Sequence, residues 1–394
     1  MDTVKTPEFR YSTPAVALTQ LLEWVEEHID LQHVAAVEDR HIQALQWQPL
    51  DRPSITFSAP VAPPFVAYPY HRAFGDPTCM LVNELVGPYA AIGPSPSIVN
   101  SVRSRDDYPL QIRAFYGVGL MASLFGARSE MVADQFPWVR PIGFEGVRAV
   151  LAHGAPELSS ELFRRALETV AYYKEVLAPF PKCRQALRIT QPDMQGPFDI
   201  AAQLWSGEIF TAFYDCPDLL RELLDLIAET YVLACRRLAA AATDLVGEDY
   251  LYLHFTIVKG RCLLKDDSST LLSARLYSDF IRPVNDKVVR ALGSAGIHWC
   301  GNGDQWRDQL LDMPNLVSLD WGNPEKIDLP TWAALLRERR LPVARMEWAA
   351  PAFLEIMPTR LFPTGAAFTV MIEEIGQAAA ILDAAGDAIP QEPA

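Results

Sequence analysis

From about residue 185 onward, short apolar runs of strand length alternate with longer amphipathic stretches, and this beat constrains the fold more than any other feature of the chain. Ala186 to Thr190 reads as a strand and is followed by helical patterns over Pro197 to Phe213 and Leu219 to Ala242. Arg261 to Lys265 precedes a helical Ala274 to Leu292, Gly296 to Cys300 precedes Gln305 to Leu311, and Leu316 to Asp320 precedes Thr331 to Arg339. Pro342 to Met346 and Ala367 to Met371 are the last strands, the second closing on a helix over Gln377 to Ala385. Strands separated by whole helices are joined by crossovers, so they pair in parallel. Such units build either an open doubly wound sheet or a closed barrel. No GxGxxG or GxxxxGK[ST] follows any strand, which removes the commonest reason for the open sheet and leaves a (β/α)8 TIM barrel as the expected fold class.

The earlier part of the chain reads differently. Leu18, Leu22, Val25 and Ile29 recur at helical spacing and a second helical run covers Ala35 to Trp47, giving a helical N-terminal extension over residues 1–50. The barrel is expected over 51–385, opening with the strand Ile55-Thr56-Phe57 after Asp51-Arg52-Pro53, and residues 386–394 form a polar tail. The Pro-rich stretch from Pro60 to Pro69, with Tyr68, Tyr70 and His71 at its end, reads as a rim loop or a substrate lid.

Composition narrows the partners. Half of the 394 residues are hydrophobic, enough to bury a large core without disulfides. The formal net charge is −15, and the small clusters Arg103 with Arg105 and Arg337 with Arg339 and Arg340 do not make a basic patch, so nucleic acid is disfavoured. Six cysteines stand singly with no CxxC, and Met1 to Lys5 opens no apolar leader, so a reducing cytoplasm is expected. The apolar stretch Tyr231 to Ala242 contains Arg236 and Arg237 and is too short to span a bilayer.

A parallel barrel places its chemistry at the C-terminal ends of the strands. Those ends offer Gln191-Pro192-Asp193, Asp266-Asp267, His298, Cys300, Asp320 and Glu347. Any one acid after a strand is more often a helix cap than a catalyst, so the argument rests on their convergence. His298 and Cys300 share one face of their strand while Trp299 takes the other. An imidazole beside a thiolate suits zinc, which takes three protein ligands at a catalytic site, although a hydrogen-bonded His beside a neutral Cys gives the same pattern. Asp267 either acts on a substrate or caps the following turn, Trp205 lines the mouth or packs, and His254 in Tyr252-Leu253-His254-Phe255 reads as a core or interface histidine.

The segment Gly296 to Asn302, with its His-x-Cys-Gly-Asn core, resembles the methylcobalamin:coenzyme M methyltransferase branch of the uroporphyrinogen decarboxylase superfamily. Arg40 to Ala44 with Asp51-Arg52-Pro53 is similar to that branch's N-terminal pattern, and Gly196 to Ala202 resembles the superfamily's Gly-Pro segment, with Asp215 to Leu223 similar to the helix start that follows it. Asp266-Asp267, Leu272-Ser273, Tyr277 to Pro283 and Leu319-Asp320-Trp321 agree in order and spacing. True decarboxylases carry an Arg-Gln-Ala-Gly-Arg segment that this chain lacks. The position of their site tyrosine falls on Gln203, and their Asn-x-Gly-His-Gly is missing around Pro363-Thr364-Gly365.

The resemblance implies methyl or one-carbon transfer with a metal-activated nucleophile, a corrinoid carried on a separate protein, and a homodimer. The strand ends give Asp267 and Asp320 as candidate catalytic residues, placed in a metal-independent enzyme to stabilise positive charge developing on a substrate, and Asp266 and Glu347, with Gln203 and Trp205 on the helix after Gly196-Pro197, as candidates against the substrate. His298 and Cys300 would hold zinc. The branch's third ligand is a later cysteine, and Cys300 is the last in this chain. Glu373 is then the positional substitute, with Glu374, Glu347, Asp320 and Cys262 as further candidates; otherwise no zinc binds. The alternatives are a metal-independent decarboxylase or lyase acting on a smaller carboxylated substrate, and a barrel that binds a small molecule without turnover.

Overall fold

A computed structural model describes residues 13–58, 67–92, 106–131 and 135–387. The first part of the Pro-rich loop, Arg103, Arg105 and the tail from residue 388 lie outside the described residues. The fold is mixed α/β. Its strands are β1 (Ser54–Ser58), β2 (Gln111–Arg113), β3 (Arg128–Glu130), β4 (Trp138–Arg140), β5 (Arg188–Thr190), β6 (Leu245–Val246), β7 (Tyr250–Leu253), β8 (Thr256–Lys259), β9 (Leu263–Lys265), β10 (Ala295–Trp299), β11 (Leu316–Trp321), β12 (Val343–Ala349) and β13 (Ala366–Met371). Six of them form a central parallel sheet in the order β1-β13-β12-β11-β10-β9, and β2 pairs in parallel with β5. The strands expected from sequence all recur within a few residues of their expected bounds.

Helices follow from spacing and caps. Leu31–Leu45 starts at Asp30, whose carboxylate accepts from the Gln32 and His33 amides and satisfies two of the otherwise unpaired first-turn donors. Pro217–Ala241 buries Leu220, Leu223, Leu224, Ile227, Ala228 and Tyr231, a stripe at three- and four-residue steps that faces the core. Arg40 and Arg52, from the N-terminal pattern, both clasp the buried Asp107, with Arg52 Nη2 2.8 Å from Oδ1. Asp107 Oδ2 also accepts from the Ile55 amide, so this cluster pins the start of β1.

The two faces of the sheet have different neighbours. Behind it, Trp299 on β10 and Trp321 on β11 pack with Trp306 and Trp332, with ring centroids 5.1 to 5.9 Å apart. Four buried indoles of this size fix the backs of both strands, and Trp306 and Trp332 find hydrogen-bond acceptors in the Ser269 carbonyl and Asp304. On the other face lies the antiparallel hairpin β6-β7-β8. Thr256 Oγ1 on β8 donates to the Ala344 carbonyl at 2.8 Å, and Ser318 Oγ on β11 donates to the Lys259 carbonyl at 2.6 Å. A small apolar cluster of Leu45, Leu251, Val258, Leu263 and Ala344 seals this contact. Gly296 is required here because a Cβ would press on Ser318 Oγ at 2.6 Å and on Val258 at 3.0 Å.

Candidate metal centre

The hairpin aims its turn at the C-terminal ends of β10 and β11. Its two turn residues, His254 and Phe255, have φ of 58° and 61°, the left-handed pair that a two-residue hairpin demands and that Asn-Gly would adopt with less strain. That turn brings His254 Nδ1 to 3.0 Å from Asp320 Oδ2. His298, one strand away, sets its own Nδ1 2.9 Å from Asp320 Oδ1, and the two imidazoles meet edge to face at 4.9 Å. Arg345 on β12 adds its Nε at 3.0 Å to Asp320 Oδ1 and its Nη1 to Glu347. One wholly buried carboxylate thus holds two imidazoles and a guanidinium.

The electrostatics follow from that arrangement. Burial by itself would raise Asp320, but Arg345, His298 and His254 hold it well below the ordinary carboxylate range. Burial likewise pulls His298 down, yet the charge and hydrogen bond of Asp320, helped by Cys300, lift it to about 9. His254 goes the other way. Burial lowers it, the Arg345 and Lys265 cations add to the fall, and Asp320 only partly offsets them.

With Nδ1 engaged, His298 presents Nε2 outward, 3.5 Å from Cys300 Sγ and 3.6 Å from Asp267 Oδ1. Tetrahedral bonds of about 2.0–2.3 Å separate their donor atoms by roughly 3.3–3.7 Å, so both spacings are edges of a zinc-sized tetrahedron. Cys300 is exposed and Asp267 partly exposed, which leaves a position open toward solvent. Gly322 makes room for the thiol, since a Cβ there would collide with Cys300 Sγ. Asp267 is fixed from both sides. Its Oδ1 accepts from the Cys300 amide at 2.6 Å, and its own amide donates to the buried Asp199 at 3.0 Å. Asp199 also accepts from Ser268 at 2.7 Å, so it anchors the short turn Asp267–Leu271. Among the described residues the donor groups that could hold a metal ion are Asp267, His298 and Cys300, and His254, His298 and Asp320. In the second group Asp320 is already committed to both imidazoles, which makes it an orienting residue.

The sequence-derived assignments divide accordingly. His298, Cys300, Asp267 and Asp320 come together, with Asp267 the third donor of a candidate metal-binding group and Asp320 lying behind the imidazole. Glu373, expected as the third ligand, is exposed beyond β13, where its amide donates to Gln377 at 2.8 Å, and it belongs to neither donor group; Glu374 is exposed beside it. Asp266, expected against the substrate, is wholly buried on the opposite face from Lys265. It accepts there from Asn285 at 2.6 Å, because alternate residues leaving β9 face opposite sides. Trp205 is also buried, packed near Phe144, so its part is in the core. Gln203 is half-buried on the helix Pro197–Trp205, and its Oε1 has no partner among the described residues. Glu347 joins the network through Arg345. Asp193 pairs with Lys265 at 2.5 Å, Gln191 with Asp244 at 3.1 Å, and Cys262 is buried.

The sequence gives no site role to three participants, His254 among them, which reads there as a core or interface histidine. His254 comes in on a hairpin whose turn has neither Gly nor Asn to betray it. Arg345 left a signal, since a cation inside the apolar run Pro342 to Met346 has to find an acid. Asp199 lay inside the quoted Gly-Pro segment without being given a role.

No known family model matches the chain, and no curated protein matches its sequence.

Proposed function

We propose that the chain is a metal-dependent enzyme of the uroporphyrinogen decarboxylase type, transferring a methyl or related one-carbon group at the His298, Cys300 and Asp267 site. In this reading the parallel strands β1, β2, β5 and β9 to β13, eight in chain order, make one (β/α)8 barrel with the site at its mouth. The observation that carries the proposal is the gathering of three donor atoms, with Cys300 Sγ 3.5 Å and Asp267 Oδ1 3.6 Å from His298 Nε2, and Asp320 holding the far nitrogen of the imidazole. A carboxylate behind a metal-binding histidine fixes its tautomer and raises its basicity.

Zinc bound there would act as a Lewis acid, lowering the pKa of a coordinated thiol or water so that it is a nucleophile at neutral pH. The chain's own residues set up that chemistry. Asp320 keeps His298 Nε2 turned to the site, Asp199 holds the turn that presents Asp267, and Gly322 leaves the space Cys300 Sγ occupies. By resemblance the methyl donor is a corrinoid on a separate protein, which needs an accessible site, and Cys300 is exposed. Six free cysteines fit a reducing, cytoplasmic setting.

A second reading rests on His298 itself. Lifted to about 9, it is an imidazolium at neutral pH, suited to a metal-independent decarboxylase or lyase that stabilises negative charge or delivers a proton. One experiment separates the two. Metal analysis of protein purified without chelator is expected to give about one zinc per chain, lost in His298→Ala, Cys300→Ser and Asp267→Asn and kept in Glu373→Gln. Substoichiometric metal, unchanged by these substitutions, overturns the metal proposal in favour of the second reading. Neither activity nor bound metal in any form would leave a binding protein.

A further inference from the structure

We propose a second, separate site that binds a hydrocarbon-bodied monocarboxylate, in the cavity behind β12 and β13. On β12, Arg345 and Glu347 belong to the metal-centre network, so Met346 and Trp348, alternating with them, face the other way, and Phe368 on β13 pairs in register with Met346. These three side chains wall a cavity of about 610 Å³ that Phe353 and the segment around Trp47 complete. Its size falls within the range of small-molecule sites, and its walls are overwhelmingly aromatic and aliphatic. An apolar pocket of this size that opens at one end suits an occupant with a hydrocarbon body.

The polar groups in the walls define the head of that occupant. The indole N–H groups of Trp47 and Trp348 are buried away from the cavity surface and Thr364 already donates to the Gln48 carbonyl at 2.6 Å, so Arg360 is the polar side chain left to meet the head of an occupant. Arg360 lines the cavity and is exposed, so it marks the lip, and its guanidinium has no hydrogen bond or ion pair among the described residues. In a chain with 49 acids against 34 basic residues, an uncompensated guanidinium at an apolar opening selects for an anion. A carboxylate accepts from the guanidinium in a charge-assisted pair. The backbone is also held in place around the opening. Trp47 and Arg360 are both left-handed, with φ of 59° and 53°, and Trp47 lies over Gly365, where any Cβ would strike the ring at 2.5 Å.

The test is isothermal titration of the full chain with octanoate, decanoate, decanol and decyltrimethylammonium. Octanoate and decanoate should saturate one site per chain, tightening roughly fourfold for each added methylene. Decanol should bind more weakly than decanoate, and decyltrimethylammonium should not saturate. Arg360→Gln should weaken decanoate roughly three- to fivefold without changing decanol. Leu361→Trp, which fills the cavity, should abolish both while His298 and Cys300 keep their metal content. The proposal is overturned if binding does not saturate, if the cationic amphiphile binds as tightly as decanoate, or if both variants bind as wild type does. Because Arg360 is exposed, its variant decides the matter even where Leu361→Trp does not fold.

Discussion

Asp266 offers the sharpest test of the electrostatic account, because it is a fully buried acid with nothing positive beside it. Its Oδ2 accepts from Asn285 at 2.6 Å and weakly from Tyr277 at 3.4 Å, while Oδ1 has no partner. Burial above all, and then the charge of Asp199, push it from an ordinary 3.8 to about 8. The sign follows directly. The folded protein prefers the protonated acid and the unfolded chain ionises it near 3.8, so this group's support for the fold is complete below that value and is lost as pH rises toward 8.

Asp266→Asn replaces the carboxyl with an isostere that never ionises and keeps the oxygen that Asn285 contacts. The variant should therefore gain on wild type by about 1.4 kcal/mol for each pH unit between those limits, roughly 3 kcal/mol from pH 5 to pH 7, and the difference should level off above pH 8. Asp199, itself raised to about 6 by burial and by Asp267, is present in both proteins and largely cancels in the comparison. Urea unfolding of the pair at pH 5, 6, 7 and 8 reads the difference directly. A gap independent of pH, or one that narrows as pH rises, would refute the assignment of Asp266 as a neutral buried acid.

The remaining predictions concern the metal centre and its supports. Asp320→Asn should destabilise the fold by about 3–5 kcal/mol at neutral pH, as removal of one partner does in a buried ion cluster, with the deficit shrinking as pH falls below 4. In the same variant the His298 imidazole, followed by NMR titration, should fall from about 9; an unmoved value would dissociate the two residues. Gly322→Ala should reduce zinc affinity at least tenfold in a chelator competition, since its methyl takes the space of Cys300 Sγ, and unchanged affinity would mean that the thiol is not a ligand. Gly196→Ala drives a Cβ into the Lys265 carbonyl and should cost about 1–3 kcal/mol in urea unfolding. Because Gly196 opens the helix that carries Asp199, it should also weaken metal binding, and a change in stability alone would separate that helix from the site.

How much of this was legible in the sequence depends on how local the determining physics is. The βα beat is local, so β9 to β13 could be placed from periodicity, and the period-two rule put His298 and Cys300 on one face. The same rule, applied to Asp266 and Asp267 only as adjacent acids at a strand end, could not say which of them turned inward. The answer depends on where Lys265 points and on how the turn Asp267–Leu271 is anchored by Asp199, a residue about seventy positions earlier in the chain. β2 is three residues long and carries no pattern, and β6 to β8 are only two to four residues long.

The third ligand shows the general reason most clearly. The resemblance puts it near the last strand, whereas the geometry offers a candidate, Asp267, at the neighbouring strand end. Parallel register sets His298 opposite Lys265, and two residues further on each strand lie Cys300 and Asp267. Register between strands is a long-range property fixed by packing. Here the packing is that of the hairpin face, where Gly296 admits Val258 and Ser318 ties β11 to β8, so the residues that specify the site carry no chemistry of their own. His254 is the other product of that hairpin. A left-handed His-Phe turn is locally unfavourable, and the fold sustains it because Asp320 and the sheet face hold its two ends, which is why no local rule could have predicted it.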